Sequence, residues 1–227
     1  MSVDYQAWRH TWPTAVTLRD SKIALDLLTR YYSNRADGSP LYTGSRFEEI
    51  ARLNPDPNVI GPADFVAVSL LSVKVPKKAA IRLLDANVSK EISLLLRQIP
   101  LDLDIVDASE DMLTGDCPAN KLWRTLRGAR DGIGRTTASK LIAAKRPRLI
   151  PIWDTFIGEA TGLDTADNWR KFQTVLLADD RKLWNWLDHL RAQVPNLPNQ
   201  VSTLRILDVI LWMLVKTDSL GKPDASG

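Results

Sequence analysis

The stretch Asp131-Gly132-Ile133-Gly134-Arg135-Thr136-Thr137-Ala138-Ser139-Lys140-Leu141-Ile142 decides how this chain is read. Two glycines one residue apart let the backbone turn tightly and leave its amides uncovered by side chains. The residues before the turn, 119–129, have helical spacing and are basic. Those after it, 136–145, are helical until Pro147 stops them. The turn therefore joins two helices, with Ala138 and Ile142 of the second facing Leu122 and Leu126 of the first. Free amides at the start of the second helix, where the helix dipole is positive, make a seat for an anion.

This is a helix-hairpin-helix pattern, in which a DNA phosphate docks on the turn without any base contact. Gly132, Gly134, Arg135, Thr136, Thr137 and Lys140 are the candidate contacts. The alternative is a plain interhelical turn whose glycines serve geometry only. Charge singles out the same place. The formal net charge of the 227 residues is only +3, yet Lys121, Arg124, Arg127, Arg130, Arg135, Lys140, Lys145, Arg146 and Arg148 stand together with one acid, Asp131. These nine bases and one acid give the segment +8 and leave −5 for the rest of the chain. A basic segment on a mildly acidic body points to an anionic partner, and nucleic acid is the common one. The plainer reading is a solvated basic face. Six acids without a base occupy 102–116 and read as a loop with short helical pieces.

Composition bounds the rest. Apolar residues make up 44% and charged residues 25%, as in a soluble globular protein. No apolar run approaches the roughly 20 residues of a membrane span. The start, MSVDYQAWRH, has no apolar core of a secretory signal, so a cytoplasmic location is expected. One cysteine, Cys117, with His10 and His189, builds no internal disulfide, no Cys/His zinc site and no four-cysteine cluster, so no metal or cofactor is expected. Nothing in the chain calls for an obligate protein partner.

Apolar spacing, caps and breakers predict an all-α protein. Helices are expected at 18–32, from a Ser45-Arg46-Phe47-Glu48 capping box to about Leu53, at 63–72 as a wholly buried segment, at 77–87, and from Ser89 to about Arg97. Beyond the two hairpin helices, 154–161 ends at Gly162, and 168–178, 181–192 and 202–215 complete the set. The polar tail from about Asp218 reads as disordered.

The hairpin, Gly132-Ile133-Gly134-Arg135-Thr136-Thr137-Ala138, resembles that of the helix-hairpin-helix–GPD superfamily of DNA glycosylases. Downstream, Pro151-Ile152-Trp153-Asp154-Thr155 resembles that family's Val-Asp-Thr-His, and Asp154 lies 18 positions after Thr136, matching the family's lysine-to-aspartate spacing. Upstream, Phe65–Lys74 resembles its early helix ending Leu-Leu-Ser-x-Gln. The three matches span about Pro62 to Gly162. Over most of its length the chain also resembles an uncharacterised bacterial family. Departures fall at the family's catalytic lysine, here Thr136, at its glutamine, here Lys74, and at its histidine, here Phe156.

The resemblance implies two helical lobes, 46–145 and 1–45 with 146–217, followed by the tail 218–227. It implies duplex DNA as partner, with Asp154 in the cleft as the catalytic carboxylate of a monofunctional base-excision glycosylase hydrolysing an N-glycosidic bond. Asp154 also reads as an ordinary helix N-cap, and on that reading Asn in its place costs a few tenths of a kcal/mol. Lys74 is a candidate DNA contact or a cation at a helix C-terminus. Lys140 reads as a phosphate contact or a solvated lysine rather than a substitute amine. Trp153 is the candidate to stack on an extruded base, whereas Trp184, Trp186 and Trp212 read as core. Two rivals stand beside this reading: a DNA-binding module that has lost glycosylase chemistry, and a helical protein with a non-DNA partner.

Overall fold

Helix caps and one-sided apolar spacing set the elements. The computed structural model describes residues 8–163, 168–195 and 197–220, and among these residues it is helical without strands. Two single turns open it, α1 (Trp8–Thr11) and α2 (Thr14–Thr17), followed by α3 (Ser21–Tyr31), whose first turn is closed by Asp20 accepting from the Ile23 amide. Then come α4 (Phe47–Ala51), α5 (Pro62–Leu70), α6 (Lys77–Leu84) and α7 (Ala86–Leu96). The second half holds α8 (Pro118–Gly128), α9 (Arg135–Lys145), α10 (Thr155–Thr161), α11 (Asn168–Gln193) and α12 (Thr203–Leu220). No helix is long and apolar enough to cross a membrane among the described residues.

Several local expectations are corrected. Ser45 and Glu48 form no capping box: the Ser45 hydroxyl donates to the Tyr42 carbonyl, and Glu48 turns inward to Arg205. A side-chain cap sits instead on α5, where Asp64 Oδ2 accepts from the Gly61 amide at 2.8 Å. That helix is one-sided, not wholly buried: Asp64, Ala67 and Val68 face inward while Val66 is exposed. The break before α7 lies at Asp85, whose carboxylate accepts from the amides of Asn87 and Val88, and not at Ser89. The last helix reaches Leu220; the rest of the expected tail, 221–227, lies outside the described residues.

The split between 168–178 and 181–192 appears as a corner within α11, where Asp179, Asp180 and Arg181 take left-handed backbone. Arg181 pins this corner by pairing with Asp107 at 2.7 Å and donating to the Val106 carbonyl at 3.1 Å, and Arg9 pairs with Asp179.

Helices α4 to α9 pack chiefly on one another, as do α1 to α3 with α10 to α12. One continuous apolar core runs through both groups. Leu122 and Leu126 of α8 and Ala138 and Ile142 of α9 are fully buried within it. The turn between these two helices is thus fixed by the core beneath it.

Much of the basic segment belongs to this interior. Lys145 is buried in an ion pair with Asp64 at 2.8 Å. Arg146, wholly buried, donates to the carbonyls of Ile99, Pro57 and Lys145 and to the side chain of Asn58, tying the 57–58 loop and the end of α7 to α9. Burial, only partly offset by the charge of Asp56, brings its guanidinium down to about 10. The acidic stretch supplies counter-charges: Asp104 to Arg148, Glu110 to Arg170, and Asp116 to Lys121 and Arg124.

Removing one member of a buried pair strands the other in low dielectric, which costs about 3–5 kcal/mol. Lys145→Met is therefore expected to lower the urea midpoint by that equivalent with an unchanged denaturant slope. A loss below about 1 kcal/mol would show that Asp64 finds water or another donor.

Candidate functional site

The turn between α8 and α9 presents two glycines with different constraints. Gly132 has a φ of +96°, and a Cβ placed on it would stand 3.0 Å from Pro76 Cγ. Both facts demand glycine there. Gly134, which caps α9 with extended backbone, has nothing within 4 Å of its missing side chain. Its openness is toward solvent, at the positive end of α9. Asp131 is anchored from behind by Arg82 at 2.6 Å. Burial raises the Asp131 carboxyl, but the hydrogen bond and charge of Arg82 hold it below the usual range.

Gly132, Gly134 and Arg135 are exposed and Thr136 is half-buried, so these reach the surface of the turn. Thr137 and Lys140 are buried, and the expectation of a surface contact through their side chains is corrected. The +8 segment does not form one surface either. Lys140, Lys145 and Arg146 are interior, and Lys121, Arg124 and Arg148 are paired with acids. Arg127, Arg130 and Arg135 remain exposed around the turn, with Arg127 over the Trp123 ring. Pro76 packed on Gly132 places the exposed Lys74, Lys77 and Lys78 in the chain beside it.

Leu71 and Ser72, just ahead of Lys74, line a cavity of 240 Å³. Asp154 is on its wall. As expected of an N-cap, its Oδ1 accepts from the Ile157 amide at 3.0 Å and closes the start of α10. Its other oxygen pairs with Lys140 Nζ at 3.0 Å, and both side chains are buried. The same ammonium donates to the Leu71 carbonyl at 2.8 Å, at the end of α5. Lys140 is thus neither a phosphate contact nor a solvated lysine; it joins a helix C-terminus to the carboxylate that caps another helix.

Trp153, expected to stack on a base, faces elsewhere. Its indole donates to the Leu163 carbonyl at 3.1 Å, its ring lies against Gly158, and its amide is held by Ser139 Oγ at 2.8 Å. It fixes the approach to Asp154. The aromatic walls of the cavity are Tyr31, Tyr42 and Trp212. Tyr42 stacks on Tyr31 with centroids 5.4 Å apart and meets Trp212 edge-on at 5.9 Å. Lys216 Nζ rests 4.5 Å from the Trp212 ring centroid, and Phe156 stands 6.3 Å from that ring.

Sequence reading missed the back wall. Arg205 and Asp208, on α12, line the cavity and pair with each other. Arg205 also pairs with Glu48 at 2.9 Å and donates to Tyr31 Oη at 2.8 Å. Burial pushes the Asp208 carboxyl up to about 6 against the pull of Arg205, and neighbouring Asp154 pushes the same way. Burial also raises Glu48, and takes the Tyr31 hydroxyl to about 12. The available signal was a charged i, i+3 pair within the otherwise apolar 202–215.

Among the described residues no cluster of His, Cys, Asp and Glu is disposed to hold a metal. Cys117 is buried and caps α8, its sulfur accepting from the Asn120 amide. A larger cleft of 480 Å³ lies beside Lys145 and Arg148, but those two charges are already neutralised by Asp64 and Asp104.

No curated protein and no solved structure matches the chain. A family of unknown function (DUF6308) matches residues 24–215, most of the sequence, and the chain belongs to that family.

Proposed function

We propose that the protein binds duplex DNA through the Gly132–Gly134 turn and hydrolyses the N-glycosidic bond of a nucleotide turned out into the Asp154 cavity. The observation that carries this reading is the continuity of turn and cavity. One short segment has Leu71 and Ser72 on the cavity wall, Lys74 exposed in the middle, and Pro76 against Gly132. A backbone held on the turn would therefore lie beside the mouth of a buried carboxylate. A cavity of roughly 150 Å³ holds benzene, so 240 Å³ suits one planar base. The Asp154 carboxylate, at a helix N-terminus, is suited to stabilise the cationic sugar that forms as the bond breaks or to orient the attacking water.

One observation favours the second reading, a binding module without chemistry. Lys140 already neutralises Asp154, which weakens its field on a developing cation. The chemistry and the grip therefore need separate tests.

Gly134 provides the clean test of the grip, because a Cβ there meets no protein atom within 4 Å and needs no unusual backbone. Gly134→Leu is expected to leave the helical content and thermal midpoint unchanged and to weaken duplex binding about tenfold, some 1.4 kcal/mol. Affinity should also fall steeply with rising salt, without strong sequence preference. Binding that ignores both the substitution and salt would remove the turn from the interface. Gly132 is unsuited to this test, since Pro76 and a positive φ make any side chain there a folding defect.

Asp154→Asn is expected to abolish excision from duplexes carrying uracil, alkylated or oxidised bases while duplex affinity stays level or rises. The ion pair revises the stability cost of this change. Asn keeps the cap but leaves the buried Lys140 without its anion, so the loss is about 3 kcal/mol rather than a few tenths. Excision should proceed by water, so borohydride should trap no covalent adduct. An adduct would point to Lys140 or Lys216, which line the cavity, or to Lys74 beside it, and would overturn the water route.

A further inference from the structure

Charge counting around the cavity exposes a surplus. Three buried carboxylates, Asp154, Asp208 and Glu48, face two buried cations, Lys140 and Arg205. Lys140 pairs with Asp154, so Arg205 is the cation that pairs with both Glu48 and Asp208, with Lys140 acting on Asp208 from farther off. Two ionised carboxylates on one buried guanidinium leave a net negative charge in low dielectric, which burial opposes. Their other neighbours do not relieve it. Tyr31 of α3 accepts from Arg205, Tyr32 just past α3 is kept neutral by burial, and Lys216 of α12 lies over the Tyr42 and Trp212 rings. One oxygen of Glu48, Oε2, is buried without a hydrogen-bond partner. Of the two carboxyls, Asp208 is on the 240 Å³ cavity wall and Glu48 is behind it.

The environments of the two cavity carboxyls therefore diverge. Asp154 has a helix N-terminal amide and an ammonium, both favouring the anion. Asp208 lies within α12 and shares its ion-pair partner, Arg205, with Glu48. Such a divergence separates a carboxylate from a proton-carrying acid.

We propose that the Glu48–Arg205–Asp208 network holds one proton and presents it to the cavity at Asp208, which acts as general acid toward a bound planar base. The second half of this statement rests on the base-excision reading. As the sugar–base bond breaks, its electron pair goes to the ring nitrogen, which takes the proton from Asp208. Water adds its oxygen to the sugar carbon, and the proton it releases returns to the Asp208 carboxylate. The products are the free base and a sugar hydroxyl, with the acid restored. Asp208 is the acid and Asp154 the anion. Arg205 and Glu48 are positioning residues that set how tightly the proton is held.

The test is a ¹³C NMR titration of aspartate and glutamate carboxyls in the full chain from pH 4.5 to 8, assigned with Asp208→Asn and Asp154→Asn. Asp208 should titrate near 6. Glu48→Gln removes the competing anion and gives Arg205 wholly to Asp208, so the Asp208 midpoint should fall by at least one pH unit; a merely structural Glu48 would not move it. An Asp208 ionised at pH 5 in the wild type and indifferent to Glu48→Gln would overturn the stored proton. Single-turnover excision is measured in parallel. The wild-type rate should fall about tenfold per pH unit above the Asp208 midpoint, and Asp208→Asn should lose that slope and at least a hundredfold in rate. Excision that is independent of pH and of Asp208 overturns the acid while leaving base excision standing. No excision from any lesion, with Asp208 still titrating near 6, overturns the excision reading and the acid's use while leaving the proton where the charge count places it.

Discussion

The ion pair between Lys140 and Asp154 holds the centre of this molecule together. Its ammonium reaches a carbonyl at the end of α5, and its carboxylate closes the first turn of α10. Each helix terminus leaves polar groups that burial makes costly. A single lysine on α9 satisfies one terminus directly and the other through the aspartate. Because α5 and α9 belong to one group of packed helices and α10 to the other, the pair is also a tie between them. It also lines the cavity, so the proposed chemistry and the architecture draw on the same two side chains.

The fold was legible where local rules act alone. Gly162 ends α10 in left-handed backbone, Asp154 caps its start, and the 178–181 break is a corner. Each is a matter of a few consecutive residues. Caps went wrong where a distant partner competed: Glu48 answers Arg205, which lies far along the chain, and the carboxylate cap fell to Asp64. Asp85 outbid Ser89 as a helix start because it meets two amides at once. α1 and α2 were missed because single turns carry no periodicity.

The candidate site was legible at Asp154 and in the glycines of the turn, and not in its walls. Trp153 stands next to Asp154 in sequence but turns away, because its indole has a carbonyl partner at Leu163. Tyr31, Tyr42, Arg205, Asp208 and Trp212 come from helices and loops far apart in the chain, and only packing assembles them. Charge misled for a related reason. Spacing along the sequence groups Lys140, Lys145 and Arg146 with Arg130 and Arg135, but a helix turns its residues in different directions. The first three serve as buried ties, and the others reach solvent. A net positive stretch in one dimension became a structural scaffold plus a modest basic rim in three.

The corner in α11 has its own consequence. Three consecutive non-glycine residues in left-handed backbone cost on the order of 1 kcal/mol each, and what opposes that strain is largely a pair of partly exposed ionic contacts, Arg181 with Asp107 and Arg9 with Asp179. Dissolved ions screen such contacts over about 10 Å at 0.1 M, whereas torsional strain is indifferent to them. This elbow is therefore the element whose local opening tracks ionic strength. Its backbone amides should exchange with deuterium faster as ions are added.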